Sequence, residues 1–378
     1  MLSRSSIALL AVCLAAAQPM RSQSPLLATF IVSTNAGDTL TACAGIAPDA
    51  SFGIDDALGE AEIPPPPPDG VFDVRFVDPD TLRRALGEGS WSDIRPGDPS
   101  AVGTQEHQLL CRPGAGTSVT VSWDLPPGVA AVLQRCDAVP PSRSMATGRG
   151  SAPPGTTGPL VVIHITLHYN VRILTARVML EGAFEARTGR MRTLLLASGI
   201  LAARFPGRTL PARAVDSIGV ELRGRAEHPG DEYRVPLPAW LLDDGTVCPF
   251  DPPFDDPLVF PDPLQQELYP VFLHRNHLAA LCTQSLPAGV TAGGCDMTSG
   301  QELYDGGNAA RLAPTLWGLR VGDADGDGVI GSWDRAAVRT AIGRAHVYER
   351  CDVDMNGGVG ATDLALVRRC IGTPVKEP

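Results

Sequence analysis

The sequence predicts a mostly β protein: two antiparallel β-sandwich-like domains followed by a small α unit of paired loop–helix repeats. Three observations predict it. The 378-residue chain holds 40 Gly and 35 Pro but only 5% aromatic residues, a mixture suited to short strands joined by many turns. Runs such as Ala28–Ser33, Val71–Phe76, Ser118–Trp123 and Val129–Gln134 are strand-like and bounded by turn formers. Near the end, residues 323–343 recur at 352–372, each copy an acidic loop followed by a helix-period run. A βαβ architecture would need regular amphipathic helices, and none are evident.

Taken in order, residues 1–17 read as a signal peptide. Arg4 supplies a positive start, Ile7–Ala17 a short apolar run and Ala15-Ala16-Ala17 a small-residue cleavage site. The chain is therefore expected to be secreted, extracellular or at the cell surface. Residues 18–139 form a first β-rich domain, with Pro64–Pro68 as a stiff polyproline II connector between strands. Residues 140–159, rich in Pro, Ser, Gly and Thr, read as a linker. Residues 160–316 form the second domain. Its expected strands are Leu160–Leu167, Ile173–Leu180, Ala214–Arg223 and Tyr269–Cys282, and Asp244-Gly245 is a turn between Trp240–Leu242 and Thr246–Val247. Met191–Ala203 reads as a short helix or a strand.

The formal net charge is −11, and removing residues 1–17 takes away Arg4 and no acid, giving −12. Such a chain repels nucleic acid and anionic membrane. The Ile7–Ala17 run is too short to span a bilayer, and no other apolar stretch is long enough. Without Cys13, eight of the nine cysteines remain, an even number that suggests disulfide bonds in an exported protein. Roughly a hundred pairings are open. The near neighbours are Cys111 with Cys136, Cys282 with Cys295 and Cys351 with Cys370.

In the tail, residues 317–378, the repeats align at an offset of 29 residues. Asp323 falls on Asp352, Asp325 on Asp354, Asp327 on Asn356, Gly328 on Gly357 and Asp334 on Asp363. Oxygen donors thus stand at loop positions 1, 3, 5 and 12, with glycine at 6, where a cation-binding loop must turn sharply. Calcium, a hard cation taking six to eight oxygens at about 2.3–2.6 Å, needs such a set. Position 7 supplies a backbone carbonyl, from Val329 and Gly358. Position 9 is Gly331 or Gly360, where water fills in for a side chain. Ile330 and Val359, at position 8, pair the loops or pack inward. Position 12 is Asp rather than Glu in both loops, and the helical runs Arg335–Ile342 and Leu364–Ile371 follow. Residues 317–322 are not helical, so the unit is loop–helix, twice.

Two loop–helix calcium repeats in tandem resemble a dockerin domain. The resemblance implies two calcium ions, held by the loop residues quoted, and docking onto a cohesin-like protein or cell-surface scaffold, often in polysaccharide-degrading complexes. Dockerins read cohesin through positions 10 and 11, here Ser332-Trp333 and Ala361-Thr362, and Trp333 departs from the usual pattern. Upstream, Gly53-Ile54-Asp55, Leu58-Gly59-Glu60, Pro64–Pro68 and residues 72–76 resemble an N-terminal module of large exported bacterial surface proteins. Residues 180–184, Ala214-Val215-Asp216, Ala239-Trp240-Leu241 and residues 274–277 resemble a sandwich module of the same proteins, where it commonly precedes a calcium-loop segment.

Catalytic signatures are lacking: no G-x-S-x-G, P-loop or H-E-x-x-H occurs. His274 and His277 have a metal-ligand spacing but no evident third ligand, and a strand end is the expected reading. His164 and His168 share one face of a strand. Asp243, Asp244, Asp255 and Asp256 sit in turn-like surroundings and read as solvated. The expected function is that of an exported, non-catalytic modular protein whose tail binds two calcium ions for docking or structural capping. The alternative is a dockerin-bearing component of polysaccharide degradation, either a glycoside hydrolase or an accessory protein. The scarcity of aromatic platforms weighs against it.

Overall fold

A computed structural model describes residues 24–78, 85–135, 142–152, 155–156, 158–224, 234–262, 266–305 and 308–372. The expected signal peptide and Cys136 lie outside the described residues.

In chain order the first strands are β1 (Leu26–Thr34), β2 (Thr39–Ala47), β3 (Phe72–Val77), β4 (Ser92–Pro96), β5 (Gly103–Pro113), β6 (Ser118–Asp124), β7 (Val129–Arg135), β8 (Ser142–Thr147), β9 (Arg149–Ser151), β10 (Gly155–Thr156) and β11 (Val161–Tyr169). They form two sheets, β10-β6-β1-β2-β4 with β9 beside β6, and β3-β5-β11-β7-β8. All pairings are antiparallel except β2 with β4. One core draws on both sheets, Phe30, Val32 and Val121 from one and Phe76, Leu109 and Ile165 from the other. That is the expected sandwich. β11 shows why the chain folds so: Val161, Ile163, Ile165, Leu167 and Tyr169 alternate inward, while His164 on the other face is exposed.

Two expected borders shift. Residues 140–159 are not a free linker, because β8 edges the second sheet and β9 and β10 pair with β6. Their Ser, Gly and Pro content reads as linker, yet edge strands with a solvated side tolerate it. β11, expected in the second domain, pairs with β5 and β7 of the first. The crossing point is Asn170, whose φ of 53° is left-handed. Its amide donates to the carbonyls of Pro99 and Ala101 at 3.0 and 2.6 Å, which holds the chain as it leaves the first unit.

The second unit comprises β12 (Val171–Arg177), β13 (Phe184–Glu185), β14 (Arg190–Met191), α1 (Leu194–Ala197), α2 (Ile200–Arg204), β15 (Ala214–Gly224), β16 (Arg234–Leu242), β17 (Thr246–Pro249), β18 (Leu258–Pro261), β19 (Leu268–His274), β20 (His277–Leu281), β21 (Ala292–Asp296), β22 (Ala309–Ala313) and β23 (Leu316–Leu319). Its pairing does not divide into two separate sheets. Hydrogen bonding runs through one eight-stranded sheet, because β12 changes partners along its length: β18 at Val171–Leu174, β17 at Ala176–Arg177, and β21 in parallel. The β16–β17 turn falls at Asp244-Gly245 as expected, with Gly245 at φ 88°. Trp240, Val220, Leu222, Phe260 and Phe272 form the centre of its core, and Leu195, Ile200 and Leu201 of the short helices pack on it. The expected Tyr269–Cys282 strand is instead a hairpin, β19 and β20, turning at Arg275-Asn276. The expected border at 317 cuts β23, which pairs with β22.

The chain ends in α3 (Ser332–Ala341) and α4 (Ala361–Cys370), each following its acidic loop. Ile330 and Val359 pack inward with Val338, Val353, Val367 and Leu278, so the tail's small core includes a residue of β20.

Candidate metal centres in the two acidic loops

The two loops repeat in backbone as well as in sequence. Gly328 and Gly357 at position 6 have φ of 84° and 87°, the left-handed region that glycine enters freely. Position 4 is left-handed too, at Gly326 (85°) and Met355 (59°), a requirement the sequence reading missed. A methionine there costs about 1 kcal/mol. Its side chain is buried in the second unit's core, which offsets that cost.

Position 12 is also the third residue of each helix. Asp334 Oδ2 accepts the Gly331 N–H at 2.6 Å, and Asp363 Oδ2 accepts the Gly360 N–H at 2.7 Å. Each carboxylate satisfies an orphan donor at its helix start. The other oxygen reaches back across the loop: Asp334 Oδ1 accepts from Ala324 N at 2.7 Å, and Asp363 Oδ1 from Asp354 N at 3.0 Å.

In the first loop, Asp323, Asp325 and Asp327 bring one carboxylate oxygen each within 4.8 Å of one another, and in the second Asp352, Asp354 and Asp363 do so. Asn356 Nδ2 donates to Asp354 Oδ2 at 2.9 Å, joining the second group. Val329 and Gly358 follow as position 7, their N–H groups donating to Asp327 and Asn356. The donors are hard oxygens with no thiolate or imidazole among them, which fits calcium rather than zinc. Burial pushes the Asp323 carboxyl up to about 6 and the Asp352 carboxyl up to about 7, and neighbouring carboxylates add to both. A crowded, desolvated group of acids is stabilised by a cation in its midst.

The loops differ in surroundings. Asp325 and Asp327 are exposed, whereas all three acids of the second group are buried. The second loop lies against the second unit. Asn276 Nδ2 donates to the Asp352 carbonyl at 2.7 Å, and Arg192 Nη2 to the Asp354 carbonyl at 2.9 Å. Arg275 donates to the carbonyls of Glu349 and Asp352. Tyr348, between the repeats, donates to Asp216 Oδ1 at 2.6 Å. Gly182 packs so closely on the Val353 carbonyl that a Cβ there would overlap it. Glu181, Gly182, Asp216, Arg275, Asn276 and His277 all come from the segments whose resemblance to a sandwich module was noted, and all gather at this junction. Sequence reasoning singled out those segments but not what brings them together, since the contacts span up to 189 residues of separation.

His274 and His277 do not form a zinc site. His274 Nε2 faces Asp216 Oδ2 at 3.2 Å, and the two Nδ1 atoms face each other at 3.0 Å. His277 Nε2 accepts from Gly182 N at 3.1 Å, and its Nδ1 faces Asn276 Oδ1 at 2.8 Å. Every ring nitrogen is thus engaged by protein. Burial raises the Asp216 carboxyl, but Arg275, His274 and Tyr348 outweigh it and hold it down to about 2. Burial lowers both histidines, which stay neutral. Of the acids expected to be solvated, Asp255 is exposed, whereas Asp243 pairs with Arg190 and Arg213 at 3.0 Å, Asp244 with Arg213 at 2.8 Å, and Asp256 with Arg143.

No family model matches the chain, and no curated protein matches it. Among solved structures it is similar to a chain from the crystal structure of an N-terminal interface mutant of a type II cohesin–X-dockerin complex from Acetivibrio cellulolyticus. That likeness is at 12% identity, covers 54% of this chain and 96% of the other, and has a TM-score of 0.26, too slight to bear on fold or function. Among the described residues, no helix is long and apolar enough to cross a membrane.

Proposed function

We propose that the C-terminal loop–helix pair is a dockerin-like unit that binds two calcium ions and caps the second unit of an exported, non-catalytic modular protein. The observation that carries this reading is the second loop: three buried carboxylates converge in a repeat of the first loop's backbone, and the loop is seated on the second unit. Asp323, Asp325, Asp327 and Asp334 would hold one ion with the Val329 carbonyl. Asp352, Asp354, Asn356 and Asp363 would hold the other with the Gly358 carbonyl. Calcium binds the folded loops and not the unfolded chain, so it stabilises the cap by linkage.

Docking onto a partner protein is the second reading, favoured by two exposed apolar residues of the first loop, Trp333 at 75% and Val329 at 51%; Trp333 at position 11 departs from the pattern by which dockerins read cohesin. Calorimetric titration of the full chain with calcium tests the main reading. Two ions are expected, and the double variant Asp323→Ala, Asp352→Ala is expected to bind neither. No heat and no gain in melting temperature at millimolar calcium would sink it.

A further inference from the structure

We infer that Arg275 and Asn276 in the β19–β20 turn, with Arg192, are positioning residues of the second calcium site, so that ion binding there and folding of the second unit are one linked equilibrium, while the first loop binds on its own. This rests on the calcium reading above. The three side chains take the backbone carbonyls of loop positions 1 and 3, the two residues whose carboxylates start the ligand set. A carbonyl held from outside the loop fixes the peptide plane that follows it, and with it the direction of the next ligand. Such preorganisation removes an ordering cost that binding would otherwise carry.

Each positioning group is itself fixed. Asn276 is fully buried, its Oδ1 engaged by His277 Nδ1 and its own backbone carbonyl taken by Gly322 N at 3.0 Å. Arg275 is gripped by Asp216 Oδ2 through Nε at 3.0 Å and lies 4.6 Å from the centre of the Tyr348 ring. Arg192 also donates to the Gly182 carbonyl at 2.8 Å. Gly357 sits where any side chain would overlap Ile200 of α2, so loop and core meet without a gap. The first loop contrasts. Among the described residues, no hydrogen bond from the second unit reaches the backbone carbonyls of Asp323 and Asp325, the equivalents of those held at Asp352 and Asp354. By reciprocity, whatever tightens the second unit tightens calcium at the second loop, and calcium there tightens the sheet.

The test uses the full chain with calcium alone as the probe, in the Asp323→Ala background so that only the second site is read. Adding Asn276→Ala, which removes no ligand, is expected to weaken that site about tenfold, the effect of losing one buried hydrogen bond. In the otherwise wild-type chain, Asn276→Ala leaves one tight site. Hydrogen exchange is the second readout: calcium is expected to slow exchange in β15 and β19, Asp352→Asn to abolish that slowing, and Asp323→Asn to keep it. If Asn276→Ala does not fold, Arg192→Gln is read in the same way. Unchanged affinity in the variant, or calcium protection confined to residues 320–372, overturns the coupling while leaving the calcium reading intact. A wild-type chain that binds no calcium overturns both.

Discussion

At the scale of single residues, the same loop position carries different consequences in the two repeats. Gly328 and Gly357 share a left-handed φ, but a Cβ on Gly328 meets open space, whereas one on Gly357 meets Ile200. Gly328→Ala is therefore expected to cost about 1–2 kcal/mol of backbone strain, and Gly357→Ala about 1–3 kcal/mol more from overpacking. Urea unfolding of the two variants in calcium checks this, and equal costs would contradict the seating of the second loop. Gly182→Ala is expected to loosen the tail in the same way, read as faster proteolysis after residue 320, because its Cβ would overlap the Val353 carbonyl. The need for glycine at position 6 was legible in the sequence, since it is local. The need for glycine at 182 was not, since the group it accommodates is 171 residues away.

At the scale of elements, the β19–β20 hairpin shows where pattern reading stops. Tyr269–Cys282 is apolar enough to read as one strand, and the turn at Arg275-Asn276 has no Gly or Pro to mark it. What stabilises the turn is tertiary: Asp216, Tyr348 and the Asp352 carbonyl. The buried histidines beside it give a pH signature. Their folded pKa values lie below 6.5, so the unfolded chain gains protons first as pH falls, and their contribution is lost below about pH 6.5. The stability gap between wild type and His277→Gln in saturating calcium is thus expected to narrow from about pH 7.5 to about pH 5.5. A gap that does not change with pH would mean that His277 is not held neutral. Cys282, just past β20, has its Sγ 2.6 Å from that of Cys295 in β21, and both are buried. Both are free cysteines in the structure, so the Cys282–Cys295 pairing suggested by the sequence is a proposal that oxidation tests. Protein purified under oxidising conditions is expected to resist alkylation at both cysteines until reduced, and Cys295→Ala to lose about 2–4 kcal/mol of stability under those conditions. Ready alkylation of Cys282 in the unreduced folded chain would refute the pairing.

At the scale of the whole molecule, two units meet at Asn170 and the tail closes over the second. Gly128 N donates to Thr291 Oγ1 at 2.9 Å, and Ala130 packs with Val171 and Ile173, so the first unit touches the second independently of calcium. A chelator is therefore expected to lower the melting temperature of the second unit and the tail together, and to leave the sandwich of β1–β11 unchanged. Differential scanning calorimetry with and without chelator resolves this. A shift of the first unit would show that all three parts unfold as one, and a shift confined to the tail would show that the cap is only loosely attached.

The sequence alone determined what depends on near neighbours: the mostly β character, the alternation in β11, the repeat with its spacing of acids and glycines, and the helices after each loop. The tertiary structure decided what depends on distant pairs. Edge strands with the composition of a linker found partners in β6 and β7, β11 joined the first sheet rather than the second, and β12 merged two expected sheets into one. It also decided that the loops are unequal, because burial is a property of what packs against a segment and not of the segment. Two loops with nearly the same set of acidic residues thus come to lie one with two acids in solvent and one against a core.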